Sequence, residues 1–158
     1  MMAMSAAVLP CFLLAAVPVT ASDLRERRIP NTAVAAGLAL ALCWAWSRGE
    51  PAVGDALAGG ALGVLTFGGV WLVFRGRLGM GDVKFASVVG AFCGSAGFFM
   101  AVFVAASLGL LAALSLIAMD RRNVRAKIPF APFLSLGGVA ALLAQIWRWP
   151  GVLFGGVS

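Results

Sequence analysis

The stretch RGRLGMGDVKF, Arg75 to Phe85, sets three cations, two closely spaced glycines and one carboxylate between two apolar runs. The flanking runs, Val53 to Phe74 and Val83 to Ser95, carry one charged residue each, Asp55 and Lys84. Apolar segments of about 18 residues, separated by short basic strips, are the pattern of a chain that crosses a bilayer repeatedly. Reading outward from this strip gives six such runs: Met2 to Ala21, Asn31 to Trp46, Val53 to Phe74, Val83 to Ser95, Gly97 to Met119, and Ala131 to Ile146. The fourth is short for a hydrocarbon core of about 30 Å, so it is expected to borrow residues from its loops or to lie partly shielded by its neighbours.

Composition agrees. Of the 158 residues, 62% are hydrophobic and 11% charged, and mean hydropathy is +1.01. A soluble domain carries about a quarter charged residues. The expected fold is therefore all-α: one polytopic membrane domain, residues 1–158, of about six transmembrane helices. A net charge of +6 would suggest nucleic acid in a soluble protein. Here the cations sit in the short strips between apolar runs, so membrane topology accounts for them and no nucleic-acid partner is expected.

The strips sort by charge. Arg25, Arg27, Arg28, Arg75, Arg77, Lys84, Arg121, Arg122, Arg125 and Lys127 fall on one side, and only Arg48 and Arg148 on the other. Cytoplasmic loops are the lysine- and arginine-rich ones, which places both termini on the outer face. LLAAVPVTAS, Leu13 to Ser22, has the look of a signal-peptide cleavage region. No cation precedes it, however, and the positive charge follows it, so a retained first helix is expected.

The sequence has no histidine, which removes Ser-His and Cys-His catalysis and the usual zinc sites. Cys11, Cys43 and Cys93 lie in separate apolar runs without a CxxC pair, so they read as small apolar residues and no metal site is expected. Six acids remain. Glu50 and Asp55 fall on the outer side, Asp55 placed to cap a helix. Glu26 and Asp120 lie among cations. Asp23 and Asp82 differ, since each borders an apolar run on the cytoplasmic side. An acid near membrane depth is costly unless paired or functional. If their helices are neighbours, the two could form an aspartyl dyad sharing one proton. The alternative pairs Asp23 with Arg25 and Asp82 with Lys84. Intramembrane acids also serve ion movement, and a catalytically silent subunit could carry them as well, so a small transporter or proton pathway and a non-catalytic subunit stay open at this point.

Three segments occur in order along these runs: SDLRERRIPN at Ser22–Asn31, GMGDVK at Gly79–Lys84, and IPFAPFL at Ile128–Leu134. Together they resemble the type IV prepilin peptidases, membrane aspartic peptidases of the GxGD type. The resemblance implies that Asp23 and Asp82 form the catalytic dyad, that the substrate is a prepilin or pseudopilin leader cut at the cytoplasmic face of the bacterial inner membrane, and that no cofactor is needed. Longer family members have an additional segment with paired CxxC motifs, associated with N-methylation. Its absence here implies the short form associated with Flp-type pili, without methyltransferase activity.

The remaining motif residues have physical readings beside that one. Gly79 and Gly81 could clear space for a substrate backbone and allow positive φ next to Asp82, or form an ordinary turn. Asn31 suits a helix cap after Pro30. Pro129 and Pro132 break the entrance to the last run, either at a water-filled cavity or simply as a helix start. Lys84 could tune the protonation of the dyad. Arg27 and Arg28 could hold lipid headgroups or substrate, although topology alone explains them.

Overall fold

A computed structural model describes residues 6–26, 29–49, 51–74, 79–118 and 130–147. Every regular element among them is helical: α1 (Val8–Glu26), α2 (Asn31–Arg48), α3 (Val53–Val73), α4 (Met80–Ala118) and α5 (Ala131–Ile146). The starts of α2, α3 and α5 fall where the sequence places them. The first helix does not end at Ala21 but runs on to Glu26, so Asp23 lies inside a helix and not beyond one.

The helix ends follow local chemistry. Gly49 closes α2 with φ of 68°, its N–H donating to the Ala45 carbonyl at 2.8 Å, the left-handed stop that glycine adopts without a Cβ penalty. Pro132 sits in the first turn of α5, where a missing N–H goes unnoticed. Asn31 does not cap α2. Pro30 occupies the N-cap position and Asn31 is the first helical residue.

The runs Val83–Ser95 and Gly97–Met119 belong to one element, α4, broken at Gly94 with φ of 69° and ψ of 178°. The first arm runs antiparallel to α3, with Gly90 against Gly59, Ala86 against Gly63 and Val83 near Gly68. The second arm runs antiparallel to α5, with Gly97 against Gln145, Ala101 against Gly137 and Gly109 near Phe130. Phe67 and Phe130 meet with ring centroids 5.8 Å apart, which brings the far ends of α3 and α5 together. Both arms of α4 therefore leave Gly94 toward the same end of the bundle. Asp55 of α3 stands at the turn, where its Oδ1 accepts from the Ser95 N–H at 3.1 Å and the Ser95 hydroxyl at 2.5 Å. This acid caps the second arm of α4 and not its own helix.

The first arm is the centre of the molecule. Residues 85–94 are all buried, and Phe85, Val88, Val89 and Phe92 are closed off completely. A helix apolar on every side is one surrounded by protein or lipid. Glycines allow this closeness: a Cβ at Gly59 or Gly63 would run into the backbone of Gly90 or Ala86, the small-residue packing of membrane helices. Phe12 of α1 meets Phe92 edge-on, centroids 5.5 Å apart, and fills the space above Gly138 of α5. The outside of the bundle carries Leu14, Val17, Leu65, Phe103 and Leu111 exposed, more apolar surface than water tolerates on a monomer. By length and composition, α1, α3 and α4 can cross a membrane, and α5 is a shorter apolar helix.

Candidate active site

Asp23 lies in the last turns of α1 and Asp82 in the first turn of α4. The bundle brings both to the wall of one cavity of about 300 Å³, lined also by Ile29, Gly79, Met80, Gly81 and Lys84. Asp23 is buried, 8% exposed, and its Oδ2 has no hydrogen-bond partner among the described residues. Asp82 is half-buried and close enough to Asp23 for direct electrostatic repulsion between the carboxylates. The Gly79 backbone hydrogen-bonds the Asp82 carboxylate, and the Gly79 carbonyl accepts the Asp82 N–H at 3.0 Å. Asp82 is thus held from both its side chain and its backbone, while Asp23 presents an oxygen that no described residue binds.

Such an arrangement has a limited range of chemistry. Two carboxylates in one recess resist ionising together, and such a pair can share a proton. One can then accept a proton from water while the other donates to a carbonyl. The cavity has room: a water takes about 30 Å³.

The cations expected as simple partners of these acids are arranged otherwise at one position. Lys84 donates from Nζ to Asn31 Oδ1 at 2.7 Å, joining the start of α2 to the start of α4. Asn31 serves this bond where the sequence suggested a cap. The glycines also differ from expectation. The described glycines with positive φ are Gly49 and Gly94, not Gly79 or Gly81. A Cβ on Gly81 would lie 2.9 Å from the Ile29 Cβ, so the space beside Asp82 at this position is taken by the chain itself. Gly79 faces the Asp82 carboxylate, 3.1 Å from a would-be Cβ to Oδ2.

Pro30 is exposed, and its carbonyl accepts the N–H groups of Ala33 and Val34 at 3.1 and 3.3 Å. It starts α2 and does not line the cavity. Pro132 likewise starts α5 away from the lining. Pro129, Arg27 and Arg28 lie outside the described residues. Sequence reasoning gave Ile29 and Met80 no part in the site. Ile29 could have been found as the apolar residue of the IPN segment, although nothing local ties it to Gly81.

Residues 7–114 match the Type IV leader peptidase family. Among curated proteins, the chain is 31% identical over 144 residues to the prepilin leader peptidase/N-methyltransferase of Xanthomonas campestris, covering 84% of this chain and 47% of that protein. It is 28% identical over 149 residues to the type 4 prepilin-like proteins leader peptide-processing enzyme of Escherichia coli, covering 90% and 52%. Identity to the prepilin leader peptidase/N-methyltransferase of Aeromonas hydrophila is 28% over 145 residues, covering 84% and 48%. The chain spans about half the length of the curated relatives it matches. No solved structure matches it.

Proposed function

The chain belongs to the type IV leader peptidase family, and we propose that it is an aspartic endopeptidase removing the leader of Flp-like prepilins or pseudopilins at the cytoplasmic face of the bacterial inner membrane. One observation carries this reading: Asp23 and Asp82, from different helices, line one cavity, and Asp23 Oδ2 is buried there without a donor among the described residues.

In the mechanism, the ionised carboxylate of the pair takes a proton from water as the water oxygen attacks the scissile carbonyl carbon. The protonated carboxyl donates to the carbonyl oxygen, so charge does not build up on the tetrahedral adduct. When the adduct collapses, the C–N bond breaks, the leaving amine takes up the dyad's proton, and one hydroxyl of the adduct returns its proton to the dyad as the C=O re-forms. The products are the leader's carboxyl and the new N-terminus. Both aspartates belong to the mechanism equally, since a coupled pair titrates as a unit.

The topology proposed with this function has six crossings, with the two arms of α4 as separate passes, both termini outside and the basic strips inside. Asp23 and Asp82 stand at helix ends, where a cytoplasmic peptide can reach them. A proton pathway would place its acids nearer the bilayer midplane. Arg27 and Arg28 are proposed to meet lipid headgroups or the substrate. We assign these residues no part in N-methylation: Cys11, Cys43 and Cys93 sit on three different helices as free thiols.

The test is cleavage of a Flp-type prepilin by the purified chain in lipid vesicles. Asp23→Asn and Asp82→Asn are each expected to lower the rate at least about a thousandfold, the scale of losing a member of a catalytic unit. Either variant at full activity overturns the dyad. Transfer of methyl from S-adenosylmethionine to the product would overturn the assignment of peptidase chemistry alone.

A further inference from the structure

The helices that carry the two aspartates barely pack on each other. α2 packs against both α1 and α4 more extensively than those two meet directly. The separation of Asp23 from Asp82 therefore depends on how the start of α2 is fixed against the start of α4. Two contacts fix it. Ile29 fills the slot left open by Gly81, and Asn31 Oδ1 accepts from Lys84 Nζ at 2.7 Å. Both contacts lie within two residues of Asp82 on one side, and within eight of Asp23 on the other. The bond is exposed, yet Lys84 also lines the cavity, so it braces the site at its rim.

We propose that Lys84 and Asn31 are a positioning pair that holds Asp82 across the cavity from Asp23, close enough for the two carboxylates to share a proton. The pair acts through the aspartates, and the proposal rests on reading them as the catalytic dyad. A bond joining the two segments at the cavity rim removes the freedom of α4 to slide along α2. Freedom of that kind is damaging in a site where a misplacement of about 1 Å can cost about a hundredfold in rate. The position of the charge and the presence of the bond are separable. Asn31→Leu removes the acceptor and leaves the ammonium in place, whereas Lys84→Met removes both.

The experiment has one readout that needs no cleavage. In the full chain in lipid vesicles, with Cys11, Cys43 and Cys93 replaced by alanine, Asp23→Cys and Asp82→Cys are joined by mild oxidation. The parent pair is expected to cross-link readily. Added Asn31→Leu or Lys84→Met should slow the reaction about tenfold or more, and Asn31→Asp or Lys84→Arg, which keep an acceptor or a donor, should restore most of it. An unchanged cross-linking rate in both disrupted variants overturns the positioning pair, as does a loss that the conservative variants fail to restore. The second readout is prepilin cleavage by chains that keep both aspartates. Asn31→Leu is expected to lower kcat about 10- to 100-fold with KM little changed, and the double variant should fall no further than the single ones. Full kcat in Asn31→Leu beside a large loss in Lys84→Met would assign the effect to charge and overturn the proposal. A chain whose cross-linking follows the bond, but which cleaves no prepilin, would overturn the peptidase reading and leave the positioning pair standing.

Discussion

Ile29 occupies the space that a side chain at Gly81 would need, with 2.9 Å between its Cβ and a Cβ built at that glycine. This contact joins two segments 52 residues apart in the sequence, and it sits directly before Asp82. The glycine of the motif thus serves an approach of the protein's own chain.

Gly81→Ala should consequently push the α1–α2 connection away from α4. Overpacking of this kind costs about 1–3 kcal/mol, and a displaced Asp82 should lower kcat about 10- to 100-fold. Adding Ile29→Ala removes the Cγ1 and Cδ1 atoms that also crowd the site at 3.0 Å and should recover part of the rate. Kinetics of the single and double variants on prepilin check this. Full activity in Gly81→Ala would show that the contact does not position the acid.

The reversal of α4 should be sensitive at two points. Gly94→Ala places a Cβ at φ of 69° and ψ of 178° and against the Asp55 carboxylate, combining a backbone penalty of about 1–3 kcal/mol in a region almost reserved for glycine with a steric clash. Asp55→Ala removes the acceptor of the Ser95 N–H and hydroxyl, a loss of about 0.5–2 kcal/mol for a helix cap. Thermal unfolding in detergent should show both variants destabilised, Gly94→Ala more so. Because the turn lies at the end of the bundle away from Asp23 and Asp82, kcat of the folded fraction should change little.

Thr20 of α1 and Ser135 of α5 share a hydrogen bond of 2.7 Å between their hydroxyls, partly buried. Thr20 is one turn before Asp23, so this bond ties α1 to α5 near the site. Thr20→Val alone should destabilise by about 1 kcal/mol, the scale of one such bond between membrane helices. The pair Thr20→Val with Ser135→Ala should cost little more than the single change, because no unpaired hydroxyl remains. A double-mutant cycle on unfolding midpoints gives the coupling, and strict additivity would contradict it.

Cleavage should depend on pH with two limbs. An acid–base carboxyl pair works with one proton, and its activity is lost both when a second proton is taken up and when the only one is lost. A kcat profile measured in vesicles should therefore rise and fall. A single limb would mean that one carboxylate alone titrates during turnover.

Much of the architecture could be read from punctuation. Asn31, Val53 and Ala131 open helices where polar strips and prolines end, and those signals are local. The end of α1 was harder, since Ser22 to Glu26 looked like loop because it is polar. Polarity does not stop a helix, and these residues continue the turn to Glu26. The break at Gly94 was placed within one or two residues, but its partner Asp55 lies 40 residues away, and no local pattern shows which acid will meet which turn. The two aspartates were legible as acids bordering apolar runs on one side. The Ile29–Gly81 and Asn31–Lys84 contacts were not, because they depend on the rotation and height of α2 against α4. Asn31 illustrates the difference: its type fits a cap, yet the register hands its side chain to Lys84.

The turn at Gly94 also bears on how the chain is assembled. Between the arms of α4 lie Gly94, Ser95, Ala96 and Gly97, none of them charged. Each charged residue drawn into the centre of a bilayer adds about 2.5–3.5 kcal/mol to insertion. In the six-crossing topology proposed above, a hairpin with this apex can enter the bilayer in one step, both arms together, without carrying any charge of its own across. The acid that closes the apex, Asp55, arrives separately on α3. Insertion and fastening of the hairpin are thus divided between two helices, and the second event can follow the first.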